Sequence, residues 1–262
     1  MKKLILIIVV ILLASLFLSA DEDLYVKRME KTAAFEMMGE KKPETVEIKE
    51  MWFGEDSFVQ HSKMVSIIMD GEKERIYFIV HPQKIYFEFP TDIDREKLLE
   101  MVPPEVANHI SSAKITDVKV NIGGQKKQVA NWNCEGAELE MTIMIPTMGI
   151  MMKYEIKLWT TKDIPFDIKK YSKTAEEFFV NYILGIVNID EDSKREMEKM
   201  EAIEGFQVAA EITLTLFGSE INIEMQVLEV AEKQAPADAY SVPKDYTKKT
   251  LNLALGVQGH FM

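Results

Sequence analysis

Residues 139–158 read LEMTIMIPTMGIMMKYEIKL and contain two segments in which apolar and polar side chains alternate. A period of two is typical of a β-strand that has one buried face and one wet face. This stretch therefore predicts two strands, each with its apolar side chains on a single face. The members of that face that we expect to line a ligand site are Met141, Ile143, Tyr154 and Ile156.

The same alternation recurs on both sides of this stretch. It covers residues 117–122, 208–216 and 221–227. Gly218-Ser219 lies between the last two ranges and predicts a hairpin. Gly123-Gly124 predicts a second hairpin turn between two strands. The further candidate lining residues on these strands are Ile212, Leu214 and Met225.

The first half of the chain is built in the same way. Its predicted strands cover residues 24–38, 45–53, 57–69, 75–81 and 85–89. Residues that favour turns, mainly Gly, Pro and Asp, lie between these strands. Roughly ten strands with one apolar side are too many for a flat open sheet. We therefore predict a mainly β fold of the α+β type, in which a curled antiparallel sheet forms an incomplete barrel with helices covering its concave face.

Helix signals interrupt the strands in a few places. Residues 91–101 and the stretch from Pro104 predict two short helices, and residues 192–203 predict a charged one. Residues 172–186, here named the lid helix, carry apolar side chains at the spacing of an amphipathic helix. We expect the lid helix to lie on the sheet, where it either fills the interior or shares it with a ligand. Its candidate lining residues are Phe178, Phe179, Tyr182 and Ile183.

The N-terminus has the three-part layout of an export signal. Lys2 and Lys3 precede an apolar run over residues 4–18, and Ser19-Ala20 supplies small residues before the acidic start of the domain. The run is shorter than the roughly 20 residues of a membrane-spanning helix, which favours cleavage over an uncleaved anchor. We expect a signal peptide over residues 1–20, a single exported domain over 21–246 and a tail over 247–262. The predicted location is periplasmic or extracellular, with no permanent membrane anchor.

Composition excludes some classes of function. The formal net charge of −12 repels nucleic acid, so no nucleic-acid partner is expected. Cys134 is the single cysteine, which excludes an intramolecular disulfide. A small buried apolar residue is the favoured interpretation of Cys134, and the alternatives are a reactive thiol or an intermolecular bridge.

No catalytic constellation is present in the sequence. The four histidines are scattered and do not predict a metal site. No phosphate-binding loop or nucleophile elbow occurs. The acidic residues 190–192 predict a helix start rather than a cation site. We therefore expect no enzyme activity, no catalytic residue, no metal and no cofactor; an exported hydrolase is a distant alternative.

Four short segments resemble an uncharacterised family of exported bacterial domains. They are WFGED at 52–56, VANWNC at 129–134, LWTTKDIP at 158–165 and PADAYSVPKDY at 236–246. That family is similar in architecture to the LolA and LolB carriers and the LppX-type lipid carriers. The resemblance implies an incomplete barrel with an apolar cavity that holds acyl chains. It implies no particular binding residue.

Pattern and resemblance together predict a carrier or sensor of an apolar ligand. The ligand would be an acyl chain, a lipid or a lipoprotein, and an envelope protein could act as a partner. The 17 methionines fit such a surface, because methionine adapts to varied apolar ligands. The alternative is a structural or protein-interaction domain whose own side chains fill the barrel, with the methionines as ordinary core residues.

Overall fold

The computed structural model describes residues 22–92, 95–164 and 187–249. Strands dominate these ranges, so the prediction of a mainly β protein is confirmed. The strands are β1 (Asp23–Thr32), β2 (Phe35–Met37), β3 (Glu40–Lys42), β4 (Thr45–Phe53), β5 (Ser57–His61), β6 (Val65–Asp70), β7 (Arg75–Val80), β8 (Ile85–Pro90), β9 (Lys114–Val129), β10 (Trp132–Ile145), β11 (Ile150–Thr161), β12 (Asn188–Ile189), β13 (Phe206–Leu216), β14 (Ser219–Lys233) and β15 (Thr247–Lys248). The helices are α1 (Arg95–Met101), α2 (Pro104–Ser112) and α3 (Glu191–Glu198), with short 3-10 turns at His81–Gln83, Pro146–Met148 and Lys199–Ala202.

Thirteen strands form one sheet in the order β12-β9-β10-β11-β13-β14-β1-β4-β5-β6-β7-β8-β15, and β2 and β3 pair separately. All neighbours in the large sheet are antiparallel except the two edge pairs, β12–β9 and β15–β8. Pairing of β1 with β14 joins two runs of consecutive strands, which places the first strand of the domain in the middle of the sheet. In the described residues the sheet is not closed, because its edge strands do not pair with each other. The sheet is thus larger and more mixed than predicted.

Direct cross-strand pairs define two faces of the sheet. Opposite residues in an antiparallel pair point to the same side. We name as the front face the side that carries Met141, Tyr154 and Leu214, which are paired in register across β10, β11 and β13. The back face is the opposite side, which carries Tyr25 and Trp52 on β1 and β4.

Much of the β1–β8 half of the sheet is buried on both faces. A cluster on the back face packs against the segment 235–246, which crosses it after β14. The members of this cluster are Tyr25, Trp52, Val59, Ile68, Ile79 and Ala239. A second cluster includes front-face residues of the same strands, among them Leu24, Val26, Met51, Phe58, Met69 and Ile76. The N-terminal half supplies most of the largest fully buried side chains, which are Leu24, Ile68, Ile79, Val26, Val59 and Ser66, beside Val208 of β13.

The β9–β14 half has a polar back face. Its charged side chains form exposed ion pairs, such as Lys119 with Glu140 and Lys127 with Glu211.

Helix α3 lies at the β9 edge, where Ser193 accepts a hydrogen bond from the Val118 amide at 3.5 Å. Met197 and Met200, on and just after α3, pack against a cluster of Ile115, Val118, Val120 and Leu139. The charged helix predicted over 192–203 is thus confirmed as α3 and the turn that follows it.

Two long predicted strands are interrupted in the structure. The strand predicted over 24–38 stops at Thr32, and a short hairpin of β2 and β3 follows it. The strand predicted over 57–69 is two strands, because a turn at residues 62–64 separates β5 from β6. The Ser62 hydroxyl stabilises this turn by accepting the Val65 amide at 3.2 Å. A side-chain turn of this kind gives no Gly or Pro signal in the sequence.

The prediction of a hairpin turn at Gly123-Gly124 is wrong. Both glycines lie inside β9, with φ of +83° and +89°. The register of the β9–β10 pair shifts at this point, so the glycines form a bulge and the strand continues. The actual connection is Ala130-Asn131, between Val129 and its partner Trp132.

The helix predictions have mixed outcomes. α1 ends at Met101 as predicted, and α2 begins with Pro104 in its first turn. The lid helix, with Phe178, Phe179, Tyr182 and Ile183, lies outside the described residues, so a helical cover on the sheet stays a prediction. No helix in the described ranges is long and apolar enough to cross a membrane.

Candidate functional site

The seven candidate lining residues that the structure describes all lie on the front face. Tyr154 pairs with Met141 on one side and with Leu214 on the other. One step along the strands, Ile156 pairs with Ile212. Ile143 and Met225 extend the same face over β10 and β14. Register thus builds a continuous apolar surface, the front patch, from residues that are far apart in the sequence. We define its members as Met141, Ile143, Tyr154, Ile156, Ile212, Leu214 and Met225.

Side chains of the front patch are half-buried, neither fully packed nor fully exposed. Burial raises the pKa of the Tyr154 phenol above its ordinary value, because the ionised form would lose solvation. Large apolar side chains on one face of a sheet require a covering layer or ligand, since apolar area exposed to water is unfavourable. The front patch is therefore suited to contact apolar groups.

Charged side chains interrupt the front face where it passes from β14 to β1 and β4. Val227 pairs with Arg28, and Arg28 pairs with Lys49. In the adjacent row, Glu30 pairs with Glu47. The Lys49 ammonium lies 2.7 Å from Glu30 and 3.9 Å from Glu47, so it neutralises much of the carboxylate charge in this group. Four charges are thus placed among apolar side chains in the middle of the sheet.

Arg28 faces a small cavity of about 180 Å³. Its guanidinium makes only long contacts, 3.5 Å to Gln60 Oε1 and 3.9 Å to Glu30. The buried Nε atom has no hydrogen-bond partner. Burial holds the pKa of Arg28 below its usual value, although nearby Glu30 partly opposes that effect. Apart from Arg28, the cavity is lined by Val26, Met51, Phe53, Phe206, Gln207, Val208, Ala209, Met225 and Val227.

Two other cavities are more polar. One of about 370 Å³ lies beside Cys134 and is bordered mainly by charged side chains, which include Lys126, Lys162 and Asp163. Another of about 270 Å³ is lined mainly by back-face side chains of β9, β10 and β11, such as Lys119, Glu140 and Lys153. Cys134 is buried, and its pKa is raised by burial, so the structure agrees with the apolar interpretation of this residue.

A chain of hydrogen bonds on the back face was not foreseen from the sequence, which showed the histidines as scattered. Ser66 Oγ lies 2.8 Å from His61 Nδ1 and 2.7 Å from His81 Nε2. His61 Nε2 lies 3.2 Å from the Ala239 carbonyl oxygen, and His81 Nδ1 lies 2.9 Å from the Tyr246 hydroxyl. The network connects β5, β6 and the turn after β7 to the segment 235–246. We name these four side chains, His61, Ser66, His81 and Tyr246, the serine–histidine network.

Donor and acceptor roles in the network follow from one fixed point. The Ala239 carbonyl can only accept, so His61 Nε2 donates and neutral His61 Nδ1 accepts from the Ser66 hydroxyl. The Ser66 oxygen then accepts from His81 Nε2, and His81 Nδ1 accepts from Tyr246. Burial lowers the pKa of His61, which favours this neutral form. Ser66 is 0% exposed, and the network joins β5 and β6 to the segment 235–246.

Metal-ligand geometry is not found in the described residues. They contain no group of three or more His, Cys, Asp or Glu side chains that could hold a metal ion. The acidic residues 190–192 form the start of α3, where the Asp190 carboxylate accepts the Ser193 amide at 2.8 Å. This placement agrees with the predicted helix start.

Similarity to known proteins is weak. No family model matches the chain, and no curated protein matches it. Among solved structures, a DUF1329 family protein from Desulfovibrio piger has a TM-score of 0.29 and 8% identity, over 86% of this chain and 91% of that one. A candidate outer membrane lipoprotein-sorting protein domain from Vibrio parahaemolyticus has a TM-score of 0.28 and 6% identity, over 84% of this chain and 89% of that one.

Proposed function

We propose that the protein is an extracytoplasmic carrier or sensor of an apolar ligand, which binds against the front patch. The observation that carries this proposal is the in-register apolar surface over β10, β11, β13 and β14. In this proposal the lid helix covers the front patch, so that sheet and helix form a half-barrel around the ligand. The predicted signal peptide supports a location outside the cytoplasm. The ligand class is an acyl chain, a lipid or a lipoprotein.

The proposal agrees with the energetics of apolar burial. Each methylene removed from water contributes about 0.8 kcal/mol, so a chain of about 14 carbons gains on the order of 11 kcal/mol before ordering costs. A half-buried surface can exchange side-chain contacts for ligand contacts without unfolding. Covalent chemistry is not required for such a function.

Bound lipid is the direct test of this proposal. The full chain is expressed with its leader, purified without strong detergent and analysed by native mass spectrometry for co-purified lipid. Delipidated protein is then titrated with a fluorescent fatty acid. We expect co-purified lipid and saturable uptake of the probe. Protein that is consistently empty and takes up no probe would contradict the proposal.

A matched pair of variants localises the binding. Leu214→Asn places a polar group in the front patch, and Thr215→Asn makes a similar change on the back face of the same strand. We expect Leu214→Asn to weaken probe binding at least tenfold and Thr215→Asn to leave it unchanged. Equal effects of the two variants would place the ligand elsewhere. Far-ultraviolet circular dichroism checks that both variants fold.

A second candidate is a structural or protein-interaction domain with a packed interior. The size of the Arg28 cavity favours it, because about 180 Å³ is smaller than most small-molecule sites, which range over roughly 300 to 1,000 Å³. This candidate predicts empty protein in the mass spectrum and no change in the unfolding temperature when fatty acid is added. The carrier proposal predicts a higher unfolding temperature with ligand.

A further inference from the structure

The four charges of the front face are paired unequally. Lys49 contacts both glutamates, and its 2.7 Å contact with Glu30 is a close ion pair. Arg28, whose side chain is only 22% exposed, has Glu30 at 3.9 Å and no closer carboxylate. A buried cation is costly unless an anion or several hydrogen-bond acceptors compensate it. Arg28 therefore shares Glu30 with Lys49 and makes only the longer of the two contacts.

Arg28 lines a cavity whose other lining residues are mostly apolar. Nε is buried and without a partner, and the remaining contact, to Gln60, is long. Guanidinium groups bind carboxylates and phosphates through paired, parallel hydrogen bonds. At about 180 Å³, the cavity has room for such a headgroup and the first atoms of an attached chain.

Met225 connects this cavity to the front patch. It lines the cavity beside Arg28 and pairs with Ala210 on β13. On the front face of β13, Ala210 is next to Ile212. A chain that starts at Arg28 can therefore continue over β14 and β13 towards Leu214 without leaving apolar surroundings. We propose that the ligand is an amphiphile with a single anionic headgroup, a carboxylate or a phosphate, which binds Arg28 while its acyl chain lies on the front patch. This inference rests on the proposed function.

Ligands with the same chain and different headgroups test the inference. Delipidated full-length protein is titrated with palmitate, with 1-palmitoyl lysophosphatidate and with hexadecanol, each by displacement of one fluorescent probe. We expect palmitate or lysophosphatidate to bind at least tenfold more tightly than hexadecanol. The stronger of the two anions identifies the source of the headgroup. Equal binding of all three overturns the headgroup assignment but leaves the carrier proposal intact, whereas no binding of any overturns both.

Variants of Arg28 give a second readout. Arg28→Met keeps the length and apolar contacts of the side chain and removes its charge. We expect the preference for the anion to disappear while hexadecanol binding changes less than twofold. Arg75→Met is the control, because Arg75 is paired with Glu88 on β8, far from the cavity in the strand order. A preference that persists in Arg28→Met refutes the assignment, and the comparison of ligands on the wild-type protein stands even if this variant does not fold.

Discussion

Replacing Ser66 by alanine tests the serine–histidine network. The change leaves the acceptor His61 Nδ1 and the donor His81 Nε2 without their partner. An unsatisfied buried polar group costs about 1 to 3 kcal/mol, so two such groups cost about 2 to 6 kcal/mol. Both rings are half-buried, and water can reach them in part. We therefore expect Ser66→Ala to lower the free energy of unfolding by about 2 to 4 kcal/mol.

Urea unfolding at pH 7.5, followed by tryptophan fluorescence, measures this loss. Ser62→Ala is a matched control, because its hydroxyl accepts only the longer hydrogen bonds of an exposed turn. We expect the control to cost about 0.5 to 1 kcal/mol. If Ser66→Ala costs less than about 1 kcal/mol, or no more than the control, the network does not stabilise the fold and our assignment of its donors is wrong.

Three further changes test other parts of the structure. Burial lowers the pKa of His61 below its ordinary 6.5. The stabilisation from its neutral form is therefore complete above about pH 6.5 and is lost as the pH falls through the folded-state pKa. His61→Gln should reduce the drop in unfolding free energy between pH 7.5 and 5.5, measured by urea unfolding. Gly205→Ala should lower the free energy of unfolding by more than about 2 kcal/mol, because its Cβ would lie 2.5 Å from the Thr161 carbonyl oxygen. Gly149 is the control, since it also has positive φ but has no neighbour within 4 Å of an added Cβ. Gly149→Ala should lower the free energy of unfolding by about 1 kcal/mol in the same assay. Asp190→Ala removes the N-cap of α3 and should lower the unfolding temperature by the equivalent of about 1 kcal/mol, measured by calorimetry; an unchanged temperature would show that the cap is not needed.

Strands with strict alternation were predictable from the sequence. Residues 139–158 form parts of β10 and β11, and the hairpin at Gly218 connects β13 to β14. Alternation is a local property of the chain, and it identifies the buried face whenever the other face is polar. The seven described lining candidates therefore share one face, as the pattern indicated. Their role in ligand binding stays a prediction.

Turns and bulges were less predictable because glycine with positive φ occurs in both. Glycines with positive φ at 123 and 124 were interpreted as a turn, yet they lie in a bulge inside β9. The turn before Val65 depends on the Ser62 hydroxyl, which is not a distinctive sequence signal. The extent of curling was not predictable for a related reason, since strand number alone does not determine whether edge strands meet.

Sites that depend on contacts between distant parts of the chain could not be predicted from the sequence. Tyr246 is 165 residues from His81, and Ala239 is 178 residues from His61. One local signal was present: Ser66 is a polar residue in the apolar strand β6. A buried hydroxyl requires partners, so the sequence implied that some partner exists. Its identity required the position of the segment 235–246.

The charges of β1 show how strand order changes the meaning of a sequence. Lys27, Arg28, Glu30 and Lys31 place charge on both faces of β1, which by itself indicates an exposed edge strand. Pairing with β14 and β4 instead makes β1 a central strand, so its front-face charges are removed from much of the solvent. Lys49 compensates Glu30 at 2.7 Å, whereas the contact of Arg28 with the same carboxylate is longer, at 3.9 Å. An apolar residue at position 28 would avoid the cost of burying this cation, which is the physical reason to assign Arg28 a ligand. For the same reason we expect Arg28→Met, in the absence of ligand, to stabilise the fold or to leave its stability unchanged.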